Sequence, residues 1–196
     1  MKNTTRLLGS MLIAVLLAFA ACDTGKKDDN SSLLLLLLSG GASQKVTYTA
    51  DGVSFFMAYV PGGLTFPTGV NDDGTATVSN SYQIGETEVT YELWYKVYAW
   101  ATDAARGSDR YYFANAGLKG SDGDAGKSTQ HPVTTVNWRD SMVWCNALTE
   151  WYNAQKGTSY ECVYTYSSAI IRDSRDANAT ACDGAVANST AKGFVC

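Results

Sequence analysis

The chain has 196 residues, of which 45% are hydrophobic, 12% aromatic and only 17% charged, with 15 Lys+Arg against 19 Asp+Glu. So much apolar surface with so little charge excludes a mostly disordered chain. A net charge of −4 with no Lys/Arg cluster excludes the basic footprint of a nucleic-acid partner, and a single histidine excludes any site built on two imidazoles.

Lys2 and Arg6 precede an apolar run from Leu7 to Ala21, and Ala20-Ala21-Cys22 sets small residues ahead of a cysteine. This arrangement resembles a bacterial lipoprotein signal, which implies removal of residues 1–21 and a lipid on Cys22 as the new N-terminus. Phe19 departs from the smaller aliphatic residue usual three positions before such a cut, so an ordinary secretory signal followed by a free cysteine stands as the alternative. Cleavage removes two positive charges, Lys2 and Arg6, and no acid, moving the net charge from −4 to −6. Acyl chains, at about 0.8 kcal/mol per buried methylene, are then the tether rather than basic residues. The expected location is the bacterial cell envelope, periplasmic or cell-surface, with the membrane as a partner through the lipid.

Residues 22–45 read as a low-complexity tether. Lys26, Lys27, Asp28, Asp29, Asn30, Ser31 and Ser32 come first, and Ser39-Gly40-Gly41-Ala42-Ser43 closes it. Leu33 to Leu38 is too short to span a bilayer. It reads as a slipped repeat, or alternatively as a membrane-contacting patch, and is an aggregation liability when exposed.

Residues 46–196 form one α+β domain. Val53 to Val60, rich in β-branched and aromatic residues, predicts a strand ending at Pro61-Gly62-Gly63. Leu64-Thr65-Phe66 predicts a short return strand, Val70 to Thr77 a surface loop, and Ser81 to Val89 a second strand region. Thr90 caps a helix expected to reach Ala104, with Leu93, Val97, Trp100 and Ala104 on one face and Trp94, Tyr98 and Ala101 widening it. Asn137, with Asp140 three residues on, caps a second helix that ends at Gly157 and carries a stripe of Trp138, Met142, Cys145, Leu148 and Tyr152. Glu161 to Ile171 suits one or two short strands, and Asp173 to Gly193 a long loop.

Three segments then carry a resemblance. Phe56-Met57-Ala58-Tyr59-Val60-Pro61-Gly62-Gly63, Ile84-Gly85-Glu86-Thr87-Glu88-Val89-Thr90 and His131-Pro132-Val133-Thr134-Thr135-Val136-Asn137-Trp138-Arg139-Asp140-Ser141, the last followed by Cys145 and Leu148, are similar in order and spacing to signatures of the formylglycine-generating enzyme (sulfatase-modifying factor) family. The resemblance spans residues 53–152 and implies an irregular, C-type-lectin-like α+β domain with two helices and short strands. In the family's enzymes, a cysteine pair near the far C-terminus binds copper and oxidises a substrate cysteine to formylglycine, and calcium sites lie in the same later half. The family's Arg-Leu-Pro-Thr-Glu-Ala-Glu-Trp-Glu run, which follows the segment matching Lys192-Gly193-Phe194, has no counterpart before the final Val195-Cys196. The resemblance therefore implies the N-terminal portion of such a domain, truncated at the C-terminus, with no catalytic, cofactor-binding or metal-binding residue of its own. Cys145, in the middle helix, and Cys196, ahead of the catalytic region, do not stand in for the pair.

Other polar features read as structural. Cys145 on an apolar stripe behaves as a small hydrophobe. Cys145, Cys162, Cys182 and Cys196 allow three full disulfide pairings in an exported chain, and their spacing does not choose among them. His131 before Pro132 supports a turn. Asp122-Gly123-Asp124 opens like a calcium loop, but Gly126 and Lys127 take the next positions and no Glu follows at the twelfth. Arg172-Asp173 and Arg175-Asp176 are expected as solvated pairs contributing about 0–1 kcal/mol. The sequons at Asn178 and Asn188 carry no weight without a eukaryotic secretory pathway.

Three functions follow. The first is a membrane-anchored lipoprotein whose noncatalytic domain binds an unidentified protein or small molecule, as in the family's noncatalytic relatives, among them targets of diversity-generating retroelements. The second is a fragment of a copper-dependent oxidoreductase acting on sulfatase cysteine. The third is a truncated reading frame without activity, favoured by two aromatic helix faces lacking strands to cover them, since unburied apolar area forgoes ~25 cal/mol per Å². A noncatalytic binding module in an incomplete copy is the preferred reading.

Overall fold

Period-two alternation builds the first sheet. β1 (Lys45–Ala50) passes through a two-residue turn at Asp51-Gly52 into β2 (Val53–Val60), antiparallel with Ala50 opposite Val53. The other edge of β2 pairs with β5 (Tyr82–Gly85), Ala58 facing Ile84. In the computed structural model the described residues are 45–120 and 125–195. The leader with Cys22, the leucine run, Asp122-Gly123-Asp124 and Cys196 lie outside them. β1 therefore begins on Lys45, the last residue of the expected tether.

Tyr48 and Phe55 point to the inner face of this sheet and stack with centroids 5.2 Å apart, while Phe56, Tyr82 and Ile84 share its exposed outer face. The return strand does not return to β2. β3 (Thr65–Thr68) forms its own hairpin with β4 (Gly74–Thr77), so part of the expected 70–77 loop is a strand. Its polar alternation is that of a ribbon with little to bury, which hydrophobic patterning does not register.

The helix α1 (Tyr91–Ala101) starts as expected, with Thr90 Oγ1 accepting from Leu93 N at 3.3 Å. It stops three residues early. Thr102 Oγ1 donates back to the Tyr98 carbonyl, and Asp103 caps a separate 3₁₀ stretch, Ala104–Asp109, so Ala104 leaves the apolar face and becomes exposed.

α2 (Trp138–Lys156) has the expected limits. Asn137 Oδ1 accepts from Asp140 N and Asp140 Oδ2 accepts from Asn137 N, closing a capping box, and Gly157 ends the helix in a left-handed conformation. Its apolar character is wider than a stripe: every residue from Met142 to Thr149 is buried. Trp138 is the exception, 55% exposed at the first helical position, before neighbouring elements close over the helix.

The expected bare aromatic faces are largely covered. Trp94 of α1 stacks on Trp144 of α2, with centroids 5.1 Å apart and planes within 7°, and Trp144 Nε1 donates to the Trp94 carbonyl. Trp94 Nε1 donates to Ala116 O, which brings the chain so close at Gly117 (φ 80) that a Cβ there would lie 2.7 Å from the indole nitrogen. Tyr48, Phe55, Tyr152 and Phe194 form a second ring cluster, and Phe194 N donates to Thr149 Oγ1. Each such side chain contributes roughly 1.5–3 kcal/mol on burial.

β6 (Leu118–Lys119) pairs with β7 (Val133–Thr134) beside α1. β8 (Tyr164–Tyr166) and β9 (Ala169–Ile170) form the two expected short strands. The expected long loop instead contributes a 3₁₀ turn at Asp176–Asn178, the short helix α3 (Ala179–Asp183) and β10 (Val186–Ala187), which completes a β10-β8-β9 sheet. Buried Asn146 binds this sheet to α2: Nδ2 donates to the carbonyls of Tyr164 and Ile171, and Oδ1 accepts from Tyr164 N. The described residues are thus α+β with several small antiparallel sheets. No helix among them is long and apolar enough to cross a membrane.

Candidate functional site

Chemistry-bearing side chains gather where the chain after α1 meets the chain after β9. Tyr111 N donates to the carbonyl of Ala101, Tyr112 N donates to that of Arg172, and Ser174 N donates to that of Tyr112. The last two bonds make a parallel bridge between Tyr112 and Asp173. Extended backbone sends successive side chains to opposite sides. Tyr111 is accordingly fully buried, while Tyr112 is 37% exposed.

Four arginines surround this pair. The guanidinium carbons of Arg106 and Arg172 lie 5.7 and 5.4 Å from the Tyr111 ring centroid, and those of Arg110 and Arg175 lie 5.3 and 4.3 Å from that of Tyr112. Three of them are ion-paired, Arg172 additionally with Asp109 at 3.8 Å. Glu150 takes Arg106 at 3.0 Å and Arg172 at closer range, and Asp173 takes Arg175 through two bonds of 2.9 and 2.7 Å. Arg110 donates from Nε to the Thr102 carbonyl at 2.7 Å, and no carboxylate among the described residues lies within ion-pair distance of it.

Arg172 therefore departs from the solvated pair with Asp173 expected for it, because its backbone is pinned against Tyr112 and its side chain turns to Glu150 on α2. Burial favours the protonated form of Asp173, but the bonds from Arg175 and Asn178 outweigh it and hold the carboxyl below its usual range.

Arg110, Tyr112, Tyr166, Ile170, Asp173 and Asn178 line an open groove of about 340 Å³ over this bridge. Behind it, the Tyr111 hydroxyl is buried without a hydrogen bond of normal geometry, although Glu150 and Cys162 are its electrostatic neighbours. Burial, then those two groups, hold this phenol far above its ordinary range.

The groups singled out in the sequence are committed elsewhere. Cys162 and Cys182 are buried, unbridged thiols that donate to the carbonyls of Asn146 and Asp173 respectively. Burial and the charge of Glu150 push the Cys162 thiol up to about 12, and burial also raises that of Cys182. No group of three or more His, Cys, Asp and Glu among the described residues could hold a metal ion. Cys145 is buried on α2 as expected. His131 serves a turn, its Nδ1 accepting from Ser128 N at 3.0 Å, beside a hollow of about 520 Å³ that Glu88 and Lys127 also line.

Asp140 is the other buried centre. Its oxygens accept from Ala114 N, Asn115 N, Asn115 Nδ2, Asn137 N and Ser174 Oγ, the last at 2.5 Å. It locks the chain after Tyr112 onto the start of α2. Sequence reasoning did not reach Arg106, Arg110, Tyr111 or Tyr112, although two arginines four residues apart running directly into two tyrosines were a usable signal.

The chain is similar to a solved structure, Treponema denticola variable protein 1, with a TM-score of 0.51 and 28% identity, over 76% of this chain and 51% of that one. It thus spans about half the length of the protein it matches. No protein-family model and no curated protein matches the chain.

Proposed function

We propose that this chain is an envelope lipoprotein, anchored through Cys22, whose domain binds a ligand and performs no covalent chemistry. In this reading the domain has a C-type-lectin-like, sulfatase-modifying-factor-like scaffold. The observation that carries it is the burial of Cys145, Cys162 and Cys182, the three thiols among the described residues. Cys162 is raised to about 12 and Cys182 is raised as well, so both are protonated at neutral pH, and the thiolate is the form that attacks or binds metal. Asp140, fully buried, and Glu150, half-buried, are likewise saturated by partners. What stays open is a groove with exposed tyrosines and one unneutralised arginine. The likeness to a protein named as a variable protein supports a recognition role over a metabolic one.

The full chain, expressed with its leader in a bacterial host, is expected to incorporate labelled palmitate and partition into detergent, and Cys22→Ala to lose both. Incubation with copper and a cysteine-containing peptide is expected to leave the peptide mass unchanged. Conversion of that cysteine to formylglycine would establish the oxidoreductase instead.

A further inference from the structure

The groove over the Tyr112–Asp173 bridge carries an unbalanced charge in an acidic protein. Around it Arg106 and Arg172 share Glu150, with Asp109 3.8 Å from Arg172 as the second carboxylate, and Arg175 is paired with Asp173, so Arg110 supplies the net positive charge, in a chain whose total is −4. Its Nε is spent on the Thr102 carbonyl, which fixes the orientation of the planar group and leaves the two terminal nitrogens as a fork. Such a fork matches the two oxygens of a carboxylate or phosphate, and its bonds to them are charge-assisted.

Beside the fork lie the partly exposed rings of Tyr112 and Tyr166, with Ile170 between the polar ends of the groove. These are flat and apolar surfaces. Asp173 does not repel an anion here as a bare carboxylate would, because Arg175 and Asn178 occupy both of its oxygens. A volume of about 340 Å³ is at the lower end of small-ligand pockets.

We propose that this groove binds a small organic anion, its carboxylate or phosphate held by Arg110 and its flat apolar body laid against Tyr112 and Tyr166. This rests on the binding-module reading and adds the ligand class to it. The proposal separates the two adjacent tyrosines by function: Tyr111 is buried in the core on the other side of the bridge, and Tyr112 meets the ligand.

The test uses the detergent-solubilised full chain with benzoate, phenyl phosphate and the neutral isostere benzamide, followed through the ring signals of labelled tyrosine. Benzoate or phenyl phosphate is expected to shift Tyr112 and Tyr166 and to bind at least about tenfold more tightly than benzamide, the factor of one charge-assisted contact. Whichever anion binds more tightly identifies carboxylate or phosphate as the natural group. Arg110→Gln is expected to remove the preference for the anions, and Arg110→Lys to restore part of it. Because Arg110 also ties down Thr102, Ile170→Glu provides a second variant that leaves Arg110 in place and sets an internal carboxylate beside it, and it too should abolish anion binding. Equal binding of benzamide, shifts confined to other tyrosines, or anion binding unchanged in both Arg110→Gln and Ile170→Glu would overturn the assignment. The envelope-module reading fails separately, on palmitate labelling or peptide conversion.

Discussion

The two ends of α2 solve one problem in opposite ways. Near its start, Asp140 is fully buried and meets only neutral donors, three backbone N–H groups, an amide and a hydroxyl. Three turns later Glu150 is held by two guanidinium groups, with about a fifth of each side chain still in contact with water. Neutral donors on fixed backbone confer position, whereas paired cations confer charge balance that neighbouring residues can draw on. Asp140 therefore works as a rivet, while Glu150 sets how much positive charge the adjoining groove retains.

Breaking the rivet is expected to have the largest effect. Asp140→Ala takes the acceptor from Asn115 N, Asn115 Nδ2 and Asn137 N, while Ala114 N keeps Ser174 Oγ and Ser174 Oγ keeps the Tyr112 carbonyl; with each buried orphan costing about 1–3 kcal/mol, urea denaturation should show a loss above about 3 kcal/mol or no cooperative transition. Glu150→Gln should cost about 2 kcal/mol, below the 3–5 kcal/mol of a fully buried pair because water still reaches these side chains. The same variant adds positive charge beside Arg110, so benzoate binding should strengthen as stability falls. If both measurements fall together, the contrast drawn between the two ends of α2 is wrong.

The next effect is alkaline. Folding raises the Cys162 thiol to about 12 from an ordinary value near 9, so the folded state keeps a proton that the unfolded chain gives up. Stability from this group is fully present below pH 9 and is lost between pH 9 and 12, by at most about 1.4 kcal/mol per pH unit. Cys162→Ala should flatten that limb of the stability profile, and a thiol reagent at pH 8 should label Cys162 only after denaturation.

The smallest effect belongs to Tyr111→Phe. It deletes a buried hydroxyl that has no hydrogen bond of normal geometry, so unfolding should show a change within about 1 kcal/mol, neutral or stabilising. A larger loss would mean that the phenol binds Glu150 and belongs to its charge network.

Elements closed by local bonds were legible. The limits of β2, the Asn137–Asp140 capping box and Gly157 follow from contacts within a few residues, and the α+β class with two principal helices follows with them. Trp138 illustrates where periodicity misleads: it sits in register with Met142 and Cys145, yet at the first turn it stays exposed, with the Arg139 guanidinium over its ring. Ala104 fails for a local reason that helical spacing ignores, since Thr102 and Asp103 both draw backbone groups out of the helix. β10 was illegible because two residues acquire strand geometry only through their partner β8, more than 20 residues earlier.

By itself, then, the sequence determined the acidic character of the chain, its strand–helix–strand order and the helix caps, because charge counts and hydrogen bonds between near neighbours do not depend on the rest of the fold. Only the tertiary structure decided that Tyr111 is buried and Tyr112 exposed, and that Arg172 faces Glu150 while Arg110 has no ion-pair partner among the described residues. Those outcomes depend on the bridge between Tyr112 and Asp173, whose two segments meet across 60 intervening positions once α2 has packed against α1. A contact of that separation is selected by the burial it completes, so the groove exists only in the assembled molecule.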